Sequence, residues 1–276
     1  MKNIIVLLML MALSIGVCAQ EGPPHAVKGS ILDAVGLPGQ MWSTNGIISP
    51  VEKGNVLSMS YFEQGVTMYS TWHNSVTLTP YCSFGMSFDS KGYPWNNQLQ
   101  PSGGLKLNKF FRSGVISIGT AYSYEDRFGS NKDFKASGRT DYIQTWFGWN
   151  PISERNNRLP GSTWFIAGHY SPVEHGNFIE EGYVTQGVVA KRFGRTTLIP
   201  YGEFSLVHDN KGFDWENKAI PGFGAKVGIP FGEETYTEFG VGYLHENRFN
   251  SGLSADGVKI FMNVNYTWNL FGRNKR

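Results

Sequence analysis

The segment LPGQMWSTNGIISPVEKGN at residues 37–55 returns as LPGSTWFIAGHYSPVEHGN at residues 159–177, identical at eleven of nineteen positions with a constant offset of 122. A repeat of this length marks one supersecondary unit laid down twice. The chain must therefore fold into something that two similar halves can build together. The echo runs on: LTPYCSFGMSFDSKGYPWNN (78–97) matches LIPYGEFSLVHDNKGFDWEN (198–217), PSGGLKL at 101 matches PGFGAKV at 221, and YSYEDRF at 122 matches YLHENRF at 243. Both copies close on a tryptophan, Trp149 and Trp268. The repeats run from 37 to 155 and from 159 to 271, and the small drifts of offset fall in turns, where they are tolerated.

Within each copy the apolar period is two, the period of a strand. In the last segment Val258, Ile260, Met262, Val264, Tyr266, Trp268 and Leu270 share one face, with Lys259, Asn263, Asn265, Thr267 and Asn269 on the other. The pattern predicts strands over 40–49, 54–68, 74–88, 102–111, 114–126 and 138–149, then 162–171, 176–192, 196–209, 222–231, 234–247 and 256–271, six per copy and twelve in all. Composition agrees, with 34 glycines, 14% aromatic and only 17% charged residues, a balance that suits strands better than helices.

Connections sort into two lengths. STWHN, FFRSG, RFGR and FGEE are short, whereas DSKGYPWNNQLQPSG, RFGSNKDFKASG, HDNKGFDWENKAIPG and RFNSGLSADG are long. Short turns at one end and long loops at the other is the layout of an outer-membrane barrel. The SPVE segments are short for outer loops, and NPISERNNRLPG is long for an inner turn. Each six-strand copy would expose a sheet edge, and only a ring of both copies leaves every backbone group paired inside lipid. The expected fold is thus all-β: a transmembrane antiparallel barrel of about 12 strands, made of two six-strand repeats spanning 37–271. The competing reading, a soluble sandwich or lipocalin-like barrel, would carry charge outside and apolar rows inside. Aromatic residues near strand ends, such as Trp149, Tyr266 and Trp268, favour membrane girdles.

The chain opens with Lys2, an apolar run from Ile4 to Leu13 and small residues up to Ala19, which reads as a secretory signal over 1–19 followed by a periplasmic segment over 20–36. After cleavage Cys82 is the remaining cysteine, so no internal disulfide is expected. A formal charge of +2 argues against a nucleic-acid partner. Residues 272–276 form a short tail. Expected partners are outer-membrane lipid, the barrel-assembly machinery, and polar small molecules or glycans.

Alternation assigns side chains to faces. With Ile116, Ile118, Tyr122 and Tyr124 outward, Glu125 and Arg127 face inward; with Phe239, Val241 and Tyr243 outward, Glu238, Glu246 and Arg248 face inward. Lys106 and Lys226 take inward positions as well. Such a mixed ring suits a constriction that selects polar solutes, or else a salt-bridge network that plugs the lumen. Glu125 and Glu246 also lie near the loop end, where they can pin loops. The duplicated loops KGYPWNN and KGFDWEN offer Trp95 and Trp215 for stacking on sugars, with Lys91, Asn97, Lys211 and Asn217 as hydrogen-bonding groups. The plainer role for such a tryptophan is to fold back and hold its own loop.

An enzyme needs a nucleophile beside a base. His169 and Ser171 stand two apart on one predicted strand and hence on one face; outward Trp164 and Ile166 would turn that face inward. The pair resembles the His-x-Ser arrangement of outer-membrane lipid A deacylases, although Pro172 and Val173 stand where that motif has Asn and small residues. His245 has Asn247 where a serine is needed, and neither histidine recurs in the other repeat, whose equivalents are Ile47 and Tyr124. No metal-ligand spacing, phosphate-binding glycine loop or nucleotide motif appears, so no metal or cofactor is expected.

The blocks PY, DNKGFDWEN, PGFGAKV and YLHENRF between Leu198 and Phe271 resemble outer-membrane barrels of the exopolysaccharide-export and phage-adsorption type. The closing strand, with Phe271 as its terminal aromatic, resembles the assembly signal of such barrels. The resemblance implies an outer-membrane barrel more than an activity; the expected function, read with the charged interior, is a channel or exit pore for polar solutes, with glycans among them. The other functions in view are a lipid hydrolase and a structural or receptor barrel with a plugged lumen.

Overall fold

A computed structural model of the chain describes residues 36–71, 75–111, 113–129, 134–149, 158–231 and 235–269. The expected signal over 1–19, the segment up to residue 35, and Phe271 with the tail lie outside the described residues, as do parts of several connections. Twelve antiparallel strands form one closed ring. They are β1 (Pro38–Ile47), β2 (Val56–Gly65, resumed at Tyr69–Thr71), β3 (Val76–Asp89), β4 (Gln98–Phe111), β5 (Gly114–Arg127) and β6 (Phe134–Trp149), followed by β7 (Gly161–His169), β8 (Ile179–Gly187, resumed at Lys191–Phe193), β9 (Thr196–Asp209), β10 (Lys218–Phe231), β11 (Thr235–Arg248) and β12 (Ser254–Asn269). Each strand pairs with the next, and β12 pairs with β1 from Pro38↔Asn269 to Ile47↔Ile260. The two repeats meet at this seam and at a second one, where β6 pairs with β7. Closure leaves no edge strand, the condition for a sheet in lipid.

The predicted strands 102–111 and 222–231 each begin four residues later than the observed β4 and β10. Pro101 and Pro221 read as turn signals, yet both stand inside β4 and β10. The ladders step from Leu99↔Asp126 to Ser102↔Ser123, and from Ala219↔Asn247 to Gly222↔Leu244. A proline has no N–H to give, so the ladder lapses locally while the strand continues. Likewise 54–68 and 176–192 are each broken near their ends, at 66–68 and 188–190.

The faces are inside out relative to a soluble domain. Ile118, Tyr122, Phe223, Val241, Val258 and Ile260 are each more than half exposed on the outer wall, whereas Glu125 and Glu246 are 1% and 0% exposed. An apolar outer belt around a polar interior is the pattern that a lipid environment stabilises. At the turn end Trp149 and Trp268 donate their indole N–H groups to Gln186 and Gln64 at 2.8 and 2.9 Å. Rings with one polar handle suit the membrane boundary.

Candidate functional site

The interior combines lysines and tyrosines that recur in both halves with acids that do not. Lys106 forms an ion pair with Glu63, Lys226 pairs with Glu238 at 2.6 Å, and Lys259 with Glu203 at 2.8 Å. Lys106 and Lys226 also stand 5.3 Å from the ring centroids of Tyr81 and Tyr201. Tyr61 and Tyr183 donate to Glu63 and Glu203 at 2.9 and 2.7 Å, and each stacks with a tryptophan, Trp42 or Trp164. Small residues create room for these rings: a side chain at Gly119 or Gly240 would collide with the ring of Tyr142 or Phe261 lying across it. The lumen is therefore lined by matched charges and tyrosines. Lys106, Lys226 and Glu238 occupy the expected inward positions. Glu63, Glu203 and Lys259 belong to the same layer and were legible only as inward phases of β2, β9 and β12.

Glu125, Arg127, Glu246 and Arg248 do not form a mid-barrel constriction; they lie at the loop end and clamp the SPVE segments. Ser49 donates to Glu246 at 2.5 Å, Arg248 Nε donates to the same carboxylate at 2.8 Å, and Arg248 reaches Glu52 at 3.2 Å. In the other half Ser171 donates to Glu125 at 2.7 Å, Arg127 Nε donates to it at 2.5 Å, and Arg127 pairs with Glu174. Pro50 packs over Gly257 and Pro172 over Gly138. Each SPVE segment thus locks onto strands of the other repeat, across the β12–β1 seam or the β6–β7 seam. The segments are short because they fold inward over the mouth.

The duplicated aromatic loops complete that cover. Asp89 accepts the backbone N–H groups of Lys91, Gly92 and Tyr93 and the amide of Asn97; Asp209 accepts those of Gly212, Phe213 and Asn217. Gly92 and Gly212, at φ of 72° and 76°, supply the left-handed residue each loop needs. β3 and β9 lie on opposite sides of a twelve-strand ring, so a contact between their loops must span the mouth. Trp95 and Trp215 make that contact, stacked at 5.2 Å and 12°, with Tyr93 and Phe213 stacked on their outer faces at 4.7 and 4.9 Å. The ring faces a sugar would need are occupied. Asn97 and Asn217, 5% and 2% exposed, are spent on loop structure; of the proposed ligand contacts, Lys91 and Lys211 remain at the surface.

The His169 and Ser171 pair separates. β7 ends at His169, so the two-residue rule lapses before Ser171. Trp164 and Ile166 pair with Tyr183 and Glu181 of the lumen face, which leaves His169 on the outer wall, edge-on to Phe178 at 5.3 Å. Ser171 turns inward to Glu125 and accepts from Arg127 at 3.1 Å. Among the described residues no group of three or more His, Cys, Asp or Glu has metal-site geometry.

No protein-family model and no curated protein matches the chain. Among solved structures it is similar to the beta domain of the Bordetella autotransporter BrkA, at 13% identity and TM-score 0.40 over 85% of this chain and 100% of that one. It is also similar to an outer-membrane channel from Pseudomonas putida F1, at 9% identity and 0.43 over 90% and 100%. A third likeness is to OmpT, an outer-membrane protein of Vibrio cholerae, at 13% identity and 0.37 over 88% and 100%. On its own apolar belt, closed ring and polar interior, the chain is an outer-membrane β-barrel.

Proposed function

We propose that this barrel is a narrow channel for polar solutes, closed at its loop end by a hinged lid made from both repeats. One observation carries the reading: a lumen of paired Lys and Glu side chains lies beneath a mouth spanned by the Trp95–Trp215 stack. Closely spaced charges of both signs replace part of a solute's hydration and set its selectivity. A barrel plugged by its own salt bridges would share the paired charges but would stay silent once the lid is removed.

Single-channel recording in planar bilayers tests the reading. The wild type should show rare, brief openings. Trp95→Ala with Trp215→Ala removes a stack worth roughly 0.5–1.5 kcal/mol, which should raise opening frequency by up to about tenfold. Lys106→Ala with Lys226→Ala leaves Glu63 and Glu238 without their cations, so the reversal potential in a salt gradient should move toward cation selectivity. A correctly inserted barrel that stays silent with the lid residues removed would overturn the channel reading.

A further inference from the structure

The outer wall carries a second constellation that the channel does not use. On β11 and β12, His245 lies directly opposite Asp256, and Asn247 opposite Ser254. All four follow the outward phase of Tyr243 and Val258. His245 Nδ1 is 2.8 Å from Asp256 Oδ1, and Ser254 Oγ is 3.3 Å from His245 Nε2. With the imidazole proton on Nδ1 and donated to Asp256, Nε2 is free to accept the serine hydroxyl proton. A serine, a base within reach of it and a carboxylate orienting that base constitute a nucleophilic triad, recognised by geometry and not by chain order.

Its surroundings specify a substrate. Ser254 is the first residue of β12 and stands at the loop end of the wall. One rung toward the belt lie Phe223, Tyr243 and Val258, and the next rung holds Ala225, Val241 and Ile260, which line a shallow apolar groove continuing to Phe239. A lipid lying along this wall would place its acyl chain in the groove and its ester near the triad. We propose that Ser254, His245 and Asp256 form an esterase site that hydrolyses acyl-lipid esters in the leaflet contacting the loop end.

Ser254 Oγ attacks the ester carbonyl carbon as His245 Nε2 takes its proton. Collapse of the tetrahedral adduct breaks the bond to the alcohol oxygen, which leaves with the proton from Nε2. Water then attacks the acyl-serine, giving a proton to Nε2. The second collapse expels Ser254 Oγ, which recovers that proton, and the fatty acid departs. Asn247, across from Ser254 on the same face, is the neighbouring amide for the oxyanion. Asp256 is a positioning residue: it holds the imidazole tautomer and offsets the imidazolium charge.

The experiment uses the folded full-length barrel reconstituted in vesicles. One set is phosphatidylethanolamine, and a second contains lipid A; comparing released fatty acid distinguishes the two ester sources. Wild type should release fatty acid from at least one set and should take a fluorophosphonate probe covalently on Ser254. Ser254→Ala should abolish both signals, and His245→Ala should lower both by at least about a hundredfold although the serine remains. Asp256→Asn should reduce turnover and alter its pH profile, and Asp256→Glu should restore part of it. Folding is checked for every variant by the heat-induced shift in electrophoretic mobility. Folded wild type that releases no fatty acid from either set and leaves Ser254 unlabelled would overturn the proposal. Channel recordings of Ser254→Ala should match wild type, which separates this site from the lumen.

Discussion

The two repeats are alike where the barrel must be held together and differ where a particular chemistry is placed. Both contribute an SPVE clamp, an Asp-anchored aromatic loop and a lysine over a tyrosine ring. On the outer wall they part. His245, Asp256, Asn247 and Ser254 of the second repeat correspond to Tyr124, Ser137, Asp126 and Lys135 of the first, where an exposed lysine and a half-buried aspartate, the last two, form an ion pair at 3.1 Å. Shared features therefore report what closure of the ring requires. Unshared ones report specialisation of one half after duplication.

The largest effect should come from breaking the shared clamps. Glu125→Gln and Glu246→Gln each take one carboxylate from a buried arginine that keeps others, Glu174 for Arg127 and Glu52 with Asp214 for Arg248, so each should cost about 1.5–3 kcal/mol, the worth of a hydrogen bond to a charged group. The destabilisation should be similar for the two variants, measured as the shift in urea midpoint of the barrel in detergent. A difference greater than about 2 kcal/mol would show that the halves do not share closure equally.

Much of this was written in the sequence and some could not be. A period of two and a repeated segment specify strands, their number and their facing, because alternation in a sheet is geometric. Lys106, Lys226 and Glu238 were accordingly placed inward from neighbours alone. For Glu125 and Glu246 the sequence leaves two roles open, constriction and loop pin, since whether an inward charge meets a solute or a loop depends on how far the loop folds back. The stack of Trp95 on Trp215 joins residues far apart in sequence and on opposite sides of the ring, and no local pattern encodes it. Ser171 shares a face with His169 only in a strand that continues through both, and β7 ends at His169. The nucleophile for His245 was missed for a related reason: Ser254 lies on the neighbouring strand, and only the register of β11 against β12 brings it there.

A second asymmetry concerns protons at the mouth. Asn96 donates to Glu52 and Asp89 at 2.8 and 3.0 Å. The equivalent residue of the second loop is Glu216, set beside Glu174 and Asp209. Burial, reinforced by those two carboxylates, pushes the Glu216 carboxyl up to about 9. Folded Glu216 therefore holds a proton that the unfolded chain releases above about 4.5. The contribution to loop stability is fully present below that value, declines as pH rises toward about 9, and is flat beyond it. Opening frequency in bilayers should increase over the same window. Glu216→Asn, which copies the first repeat, should flatten the dependence, and a wild-type profile with no slope between pH 5 and 9 would remove Glu216 as its cause.

The smallest difference is a single oxygen in the lumen. In the first repeat Tyr142 crosses Gly119 and donates its hydroxyl proton to Tyr81 at 3.0 Å. In the second, Phe261 crosses Gly240 in the same way and meets Tyr201 edge-on at 6.1 Å, and the buried hydroxyl of Tyr201 has no hydrogen-bond partner among the described residues. Phe261→Tyr should supply that partner without displacing the ring, because Gly240 leaves the same space that Gly119 does. A made hydrogen bond is worth about 1 kcal/mol, and relieving an unsatisfied buried hydroxyl adds to it. The variant should therefore unfold at a higher urea midpoint than wild type, while Tyr142→Phe in the first repeat lowers it by a similar amount. If Phe261→Tyr is instead destabilising, the two lumen halves are not interchangeable at this layer, and the second has repacked around its extra Lys259–Glu203 pair.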